Sequence, residues 1–110
     1  MNQILEKSFD FSIRAMELIK YLDKEKKSFP LYKRFLACAT GIGITQRILQ
    51  TAGKKSVKDG LQAYSYVVEA EYLLEIMAKT GYLTEKQSQP IMDDCRSLKA
   101  LISELLNEKK

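Results

Sequence analysis

The chain has 110 residues, of which 45% are hydrophobic and 29% charged, so it can build one small core and has no length for a second domain. It contains no histidine, only two cysteines and two prolines, and carries a formal charge of +4. Histidine-based acid–base catalysis, the serine–histidine–aspartate triad and most zinc sites are thereby excluded, and no metal or cofactor is expected.

Apolar periodicity predicts four helices. The first is expected over residues 3–26, with two adjoining stripes: Leu5, Phe9, Ser12, Met16 and Ile19, then Ile4, Phe11, Ala15, Leu18 and Leu22. Together they make a wider apolar face than one core requires. Ser28 is the expected N-cap of the second helix, with Pro30 in its first turn, where a missing N–H costs nothing. That helix keeps a 4-3 spacing through Leu31, Phe35, Cys38, Ile42, Thr45, Leu49 and Ala52. It has no charge between Leu36 and Gln46, so protein is expected on all its sides. Gly41 and Gly43 each cost about 1 kcal/mol of helix propensity, an expense that close approach of a neighbouring backbone would offset. Gly53 with Lys54 and Lys55 reads as a stop.

The third helix is expected from an N-cap at Ser56 to Lys79, burying Gly60, Ala63, Val67, Ala70, Leu74 and Met77, and ending at Gly81. Thr84 and Gln87 match a capping box and open the fourth. Pro90 then predicts either a kink or a restart from Ser88. Ile91, Cys95, Leu98, Ile102 and Leu105 carry its apolar face.

Short connections favour antiparallel neighbours. The expected fold is an all-α, up-down-up-down four-helix bundle over residues 1–110. The charge is uneven: between Lys20 and Lys58 stand ten basic residues against Asp23 and Glu25, a net +8. Up-down order sends Lys24, Lys26, Lys27, Lys33 and Arg34 to one end of the bundle and Lys54, Lys55 and Lys58 to the other. These eight are the candidate nucleic-acid contacts, since clustered cations suit a phosphate backbone. The alternative is a merely solvated surface.

Other features reduce to structure. Gly41-Ile42-Gly43 begins like a glycine-rich phosphate loop but lacks the third glycine and a preceding strand. Glu69 falls on a partly apolar strip and needs a partner on the second helix, such as Arg47 or Thr40. Glu71 and Glu75, four apart, are expected to face solvent. Cys38 and Cys95 occupy apolar positions, as buried free thiols of a reducing cytoplasm do. No run approaches the roughly 18 apolar residues of a membrane span. The first seven residues lack a secretion signal, so a cytoplasmic protein with no membrane partner is expected.

A wider pattern joins Lys7-Ser8-Phe9-Asp10-Phe11, Arg14, Leu18, Lys20-Tyr21-Leu22, Glu25-Lys26-Lys27, Phe29, Leu31, Leu36, Thr40, Ile42-Gly43, Glu69-Ala70-Glu71, Tyr72 and Thr80-Gly81-Tyr82-Leu83. It resembles the bacterial four-helix-bundle family named after proteins encoded in intervening sequences of large-subunit ribosomal RNA genes. The chain departs from that family at Ala37, where an arginine is usual, and at Thr45, where an asparagine is. The resemblance implies a homopentamer without enzymatic activity. It also implies kinship to the accessory variability determinant of diversity-generating retroelements, a basic pentamer that binds nucleic acid and a reverse transcriptase.

The expectation is therefore a non-enzymatic, ring-like homo-oligomer that presents basic ends to RNA or DNA. Self-association follows from the broad apolar face of the first helix and the uncharged middle of the second; the number five comes only from the resemblance. The alternative is a protein–protein adaptor, such as an accessory subunit to a reverse transcriptase, with no direct nucleic-acid contact.

Overall fold

A computed structural model describes residues 3–52 and 57–108, which form α1 (Gln3–Lys24), α2 (Tyr32–Ala52), α3 (Val57–Lys79) and α4 (Glu85–Glu108). No strand occurs among the described residues.

The helix ends follow local chemistry. At the end of α1 the Lys27 N–H donates to the Leu22 carbonyl at 2.8 Å and the Lys26 N–H to that of Asp23 at 3.0 Å. This is a Schellman turn, with Lys26 at φ 58° in the left-handed region. The expected helix over 3–26 overruns because no glycine marks the stop. The stop of α3 uses the same bonds, Tyr82 N–H to Met77 at 3.0 Å and Gly81 N–H to Ala78 at 3.4 Å, with glycine at φ 87°.

The expected cap at Ser28 is corrected. A turn closes from the Tyr32 N–H to the Phe29 carbonyl at 3.1 Å, and the first helical carbonyl to be used is that of Leu31, bonded by Phe35 N–H at 2.9 Å. Pro30 disfavours a helical Phe29, whose buried ring plugs the end of the bundle.

The capping box of α4 forms as expected: Thr84 Oγ1 accepts from the Gln87 N–H at 3.1 Å, and Gln87 Oε1 accepts from the Thr84 N–H at 2.9 Å. Beyond it α4 runs unbroken through Pro90, without a restart at Ser88. Pro90 and Lys86 are both exposed, so water can serve the carbonyl that lacks its helical donor. The expected N-cap at Ser56 and stop at Gly53 lie outside the described residues.

Each helix packs on its two neighbours in the cyclic order α1, α2, α3, α4, and the α1–α4 seam is the least extensive. The body measures 43 × 23 × 22 Å, so its two ends lie several Debye lengths apart. The core centres on Phe11, Leu22, Phe35, Ile42, Leu74, Met77, Leu98 and Ile102. The α3 face lies inside as expected. On α1 only the second stripe is well buried; Phe9 and Met16, from the first, are 48% and 47% exposed.

On α2 a straight helix drifts away from a seven-residue repeat. Ala39 and Gln46 therefore rotate inward, while Leu31 and Ala52 stay exposed. Among the described residues, Gln46 Nε2 is buried without a hydrogen-bond partner. Backbone approach occurs at Gly43, where an added Cβ would lie 3.5 Å from the Ser8 carbonyl oxygen; at Gly41 the neighbour is instead the Tyr66 ring, at 3.1 Å. Ser12 Oγ, donating within 2.9 Å of the Ser8 carbonyl and 3.3 Å of that of Ala39, ties α1 to α2.

Candidate functional site

Antiparallel order places the C-terminal turn of α1 beside the first turn of α2. Lys24, the last residue of α1, Lys26 and Lys27 in the connection, and Lys33 and Arg34 at the start of α2 are all exposed at that end. The α3–α4 connection closes the same end. Phe29 meets Tyr82 edge-on at 5.2 Å, and Gln87 Nε2 donates to the Tyr21 hydroxyl at 2.9 Å.

That closure brings in Lys79 and Lys86, which counting along one basic run misses; the expected up-down topology was the signal that could have found them. Asp23, Glu25 and Glu85 are interleaved. None of the ion pairs among the described residues uses Lys24, Lys26, Lys27 or Lys33. Lys54 and Lys55 lie outside the described residues, as does the Lys58 side chain.

Arg34 is committed elsewhere. Its Nε and Nη2 donate to the two Glu69 oxygens at 3.2 and 3.0 Å, and the Cys38 thiol donates to the same carboxylate. Glu69 thus has its partner on α2, but through Arg34 and Cys38 rather than Arg47 or Thr40. Thr40 Oγ1 instead donates to its own helix at Leu36, 2.7 Å away, and the Arg47 guanidinium sits 5.3 Å from the Phe9 ring centre.

The Arg34 hydrogen bonds, then that of Cys38, hold the Glu69 carboxyl below its ordinary value. Burial, reinforced by Glu69, pushes the Cys38 thiol up to about 12. Burial and then the Glu71 carboxylate push Cys95 to about 12 as well. Both cysteines are free, buried and protonated at neutral pH, which makes them poor nucleophiles. Among the described residues no three cysteine or carboxylate side chains converge as metal ligands, and no helix is long and apolar enough to cross a membrane.

The outer face of α2 is bare. Ala37, Ile44 and Ile48 are exposed, the two isoleucines at 57% and 60%. A groove of about 290 Å3 lined by Leu5, Phe9 and Gly43 runs on one side, and one of about 480 Å3 lined by Ala37, Gly41 and Tyr66 on the other. Thr40 and Ile44 form the ridge common to both.

No family model and no curated protein matches the chain. Among solved structures it is similar to a protein of unknown function from the S23 ribosomal protein family of Bacteroides thetaiotaomicron. The two are 28% identical, with a TM-score of 0.86 over 94% of this chain and 97% of that one. The four-helix all-α architecture is common to both.

Proposed function

We propose that the chain is a non-catalytic scaffold of the intervening-sequence protein kind, which closes into a ring-like homo-oligomer and presents its lysine-rich end to RNA or DNA. The division of the surface carries this reading. Phe9, Ile44 and Ile48 are exposed along α2 and its α1 flank, while Lys24, Lys26, Lys27 and Lys33 gather unpaired, among the described residues, at one end. Apolar ridges flanked by grooves favour a second protein surface, and a second copy brings a ridge with few charges to desolvate.

Repetition around a ring would multiply a weak phosphate contact by avidity. The five-fold count rests on the family resemblance alone. Light scattering at micromolar concentration is expected to return a multiple of the subunit mass. Binding of mixed-sequence RNA or DNA should fall steeply between low and moderate salt, and charge reversal at Lys26 and Lys27 should weaken it. A subunit mass together with salt-independent binding would sink the reading.

A protein–protein adaptor is the second reading. It is favoured by a groove of about 740 Å3 between α3 and α4, where Ile76 and Met92 lie beside the 64% exposed Tyr72. One defined protein retained after nuclease treatment, and lost with Tyr72→Ala, would favour it.

A further inference from the structure

The lysine-rich end is not flat. Between the last turns of α1 and the start of α2 opens a recess of about 260 Å3 walled by Met16, Ile19, Phe29 and Tyr32. Lys20 and Lys27 also line it, with Asp23 as its one acid among the described residues. Met16 is 47% exposed, and the Lys33 ammonium stands 6.0 Å from the Tyr32 ring centre. Lys26, directly before Lys27, holds the left-handed backbone that glycine adopts with less strain. A lysine in place of the less strained glycine adds a cation beside the recess, and strain of this kind collects at functional positions.

We infer that this recess receives one unpaired nucleobase, with the flanking phosphates held by Lys20 and Lys27. The inference rests on the nucleic-acid reading above and narrows it to a single strand. Proteins that bind single strands combine a cationic track with aromatic and apolar surfaces against which a base can lie. A duplex keeps its bases stacked and offers no ring face to Met16 or Tyr32, so it can use only the lysines. Asp23 decides between ligands of equal charge. It opposes a phosphate or an anionic lipid headgroup inside the recess, leaving phosphates to the lysines at its rim, but it can accept a hydrogen bond from the exocyclic amine of a base.

The test compares three short probes at one low salt concentration by fluorescence anisotropy: a mixed-sequence single strand, its duplex, and an abasic strand of equal length. The wild-type protein should bind the single strand about tenfold tighter than the other two, the scale of one stacked base. Tyr32→Leu and Met16→Glu should each abolish that preference while duplex affinity moves little. Lys26→Glu, outside the recess, should weaken all three probes together and reduce their salt slope.

Equal wild-type affinity for the intact and abasic strands overturns the inference, as does a preference that survives both recess variants. So does a Met16→Glu protein whose light-scattering mass falls while its strand preference persists, because a second copy then covers the recess. Salt-steep binding of all three probes without preference leaves the basic-end reading standing and removes only the recess. Absence of binding to every probe at low salt removes both.

Discussion

Around α4, charge does the tying. Four of the five ion pairs among the described residues end on that helix: Arg14 to Asp94 at 2.7 Å, Lys99 to Glu71 at 2.7 Å, and Arg96 to Glu71 and Glu75 at 3.1 and 3.9 Å. Around α2 the single pair, Arg34 with Glu69, sits near its first turn; from Ala37 to Gln46 the helix carries no charge at all. The two helices solve the same problem for different surroundings. An ion-paired rim suits water, since paired charges keep their solvation on the outer side. An exposed uncharged ridge gains little from water and suits another protein surface. In the proposed assembly the α2 flank is the contact surface, while the ion pairs around α4 join helices within the subunit.

That contrast can be broken from either side. The largest effect is expected from Ile44→Glu, which puts a charge on the bare ridge and should reduce the light-scattering mass to one subunit with helicity unchanged. A charge on the opposite flank, Ala100→Glu, should leave the mass as it is. Next comes Glu71→Ala. The Glu71 side chain is only 14% exposed and accepts from both Lys99 and Arg96, so its loss should cost about 2 kcal/mol in urea unfolding. The two Schellman turns should respond oppositely. Gly81→Ala forces a Cβ into the left-handed region and should cost about 1 kcal/mol, whereas Lys26→Gly relieves the same strain and should gain a similar amount. The latter gain should come with weaker polyanion binding.

The smallest effects are pH-dependent. Burial works to raise Glu71, but hydrogen bonds from Lys99 and then Arg96 outweigh it, leaving the carboxyl below its ordinary value, as Glu69 is. Carboxyls lowered in the fold stabilise it above their unfolded value of about 4.3, and that support disappears as pH falls through the lower folded value. Urea midpoints should therefore decline below about pH 4, and Glu71→Gln should flatten the decline. Cys38 and Cys95 act with the opposite sign. Raised to about 12, they support the fold fully below the unfolded thiol value and lose that support as pH climbs toward 12. Replacing both by alanine should remove this alkaline slope.

Much of the fold was legible because its signals are local. The capping box at Thr84, the stop at Gly81 and the buried face of α3 each depend on residues within a turn or two. The misreadings have equally definite causes. Lys26 does the work of a glycine without being one, so the end of α1 left no mark. Glu71 was expected in solvent beside Glu75, but cations on α4, 25 and 28 residues away in sequence, close over it. Gln46 turned inward because a real helix drifts from the heptad that its apolar spacing imitates. At the candidate site, Lys24 to Arg34 could be assembled from one run of sequence, while Lys79, Lys86 and the recess beside Tyr32 could not.

The amino-acid order alone determined the four helices of the described residues, which residues could serve as core, and that one helix carries a long uncharged stretch, since periodicity, caps and composition act over a few residues. Only the tertiary structure decided which of the two α1 stripes is buried, which cations neutralise Glu69 and Glu71, and which lysines at one end form no ion pair among the described residues. Those outcomes depend on helix rotation and on side chains brought within 4 Å from distant parts of the chain, and no short-range rule determines either.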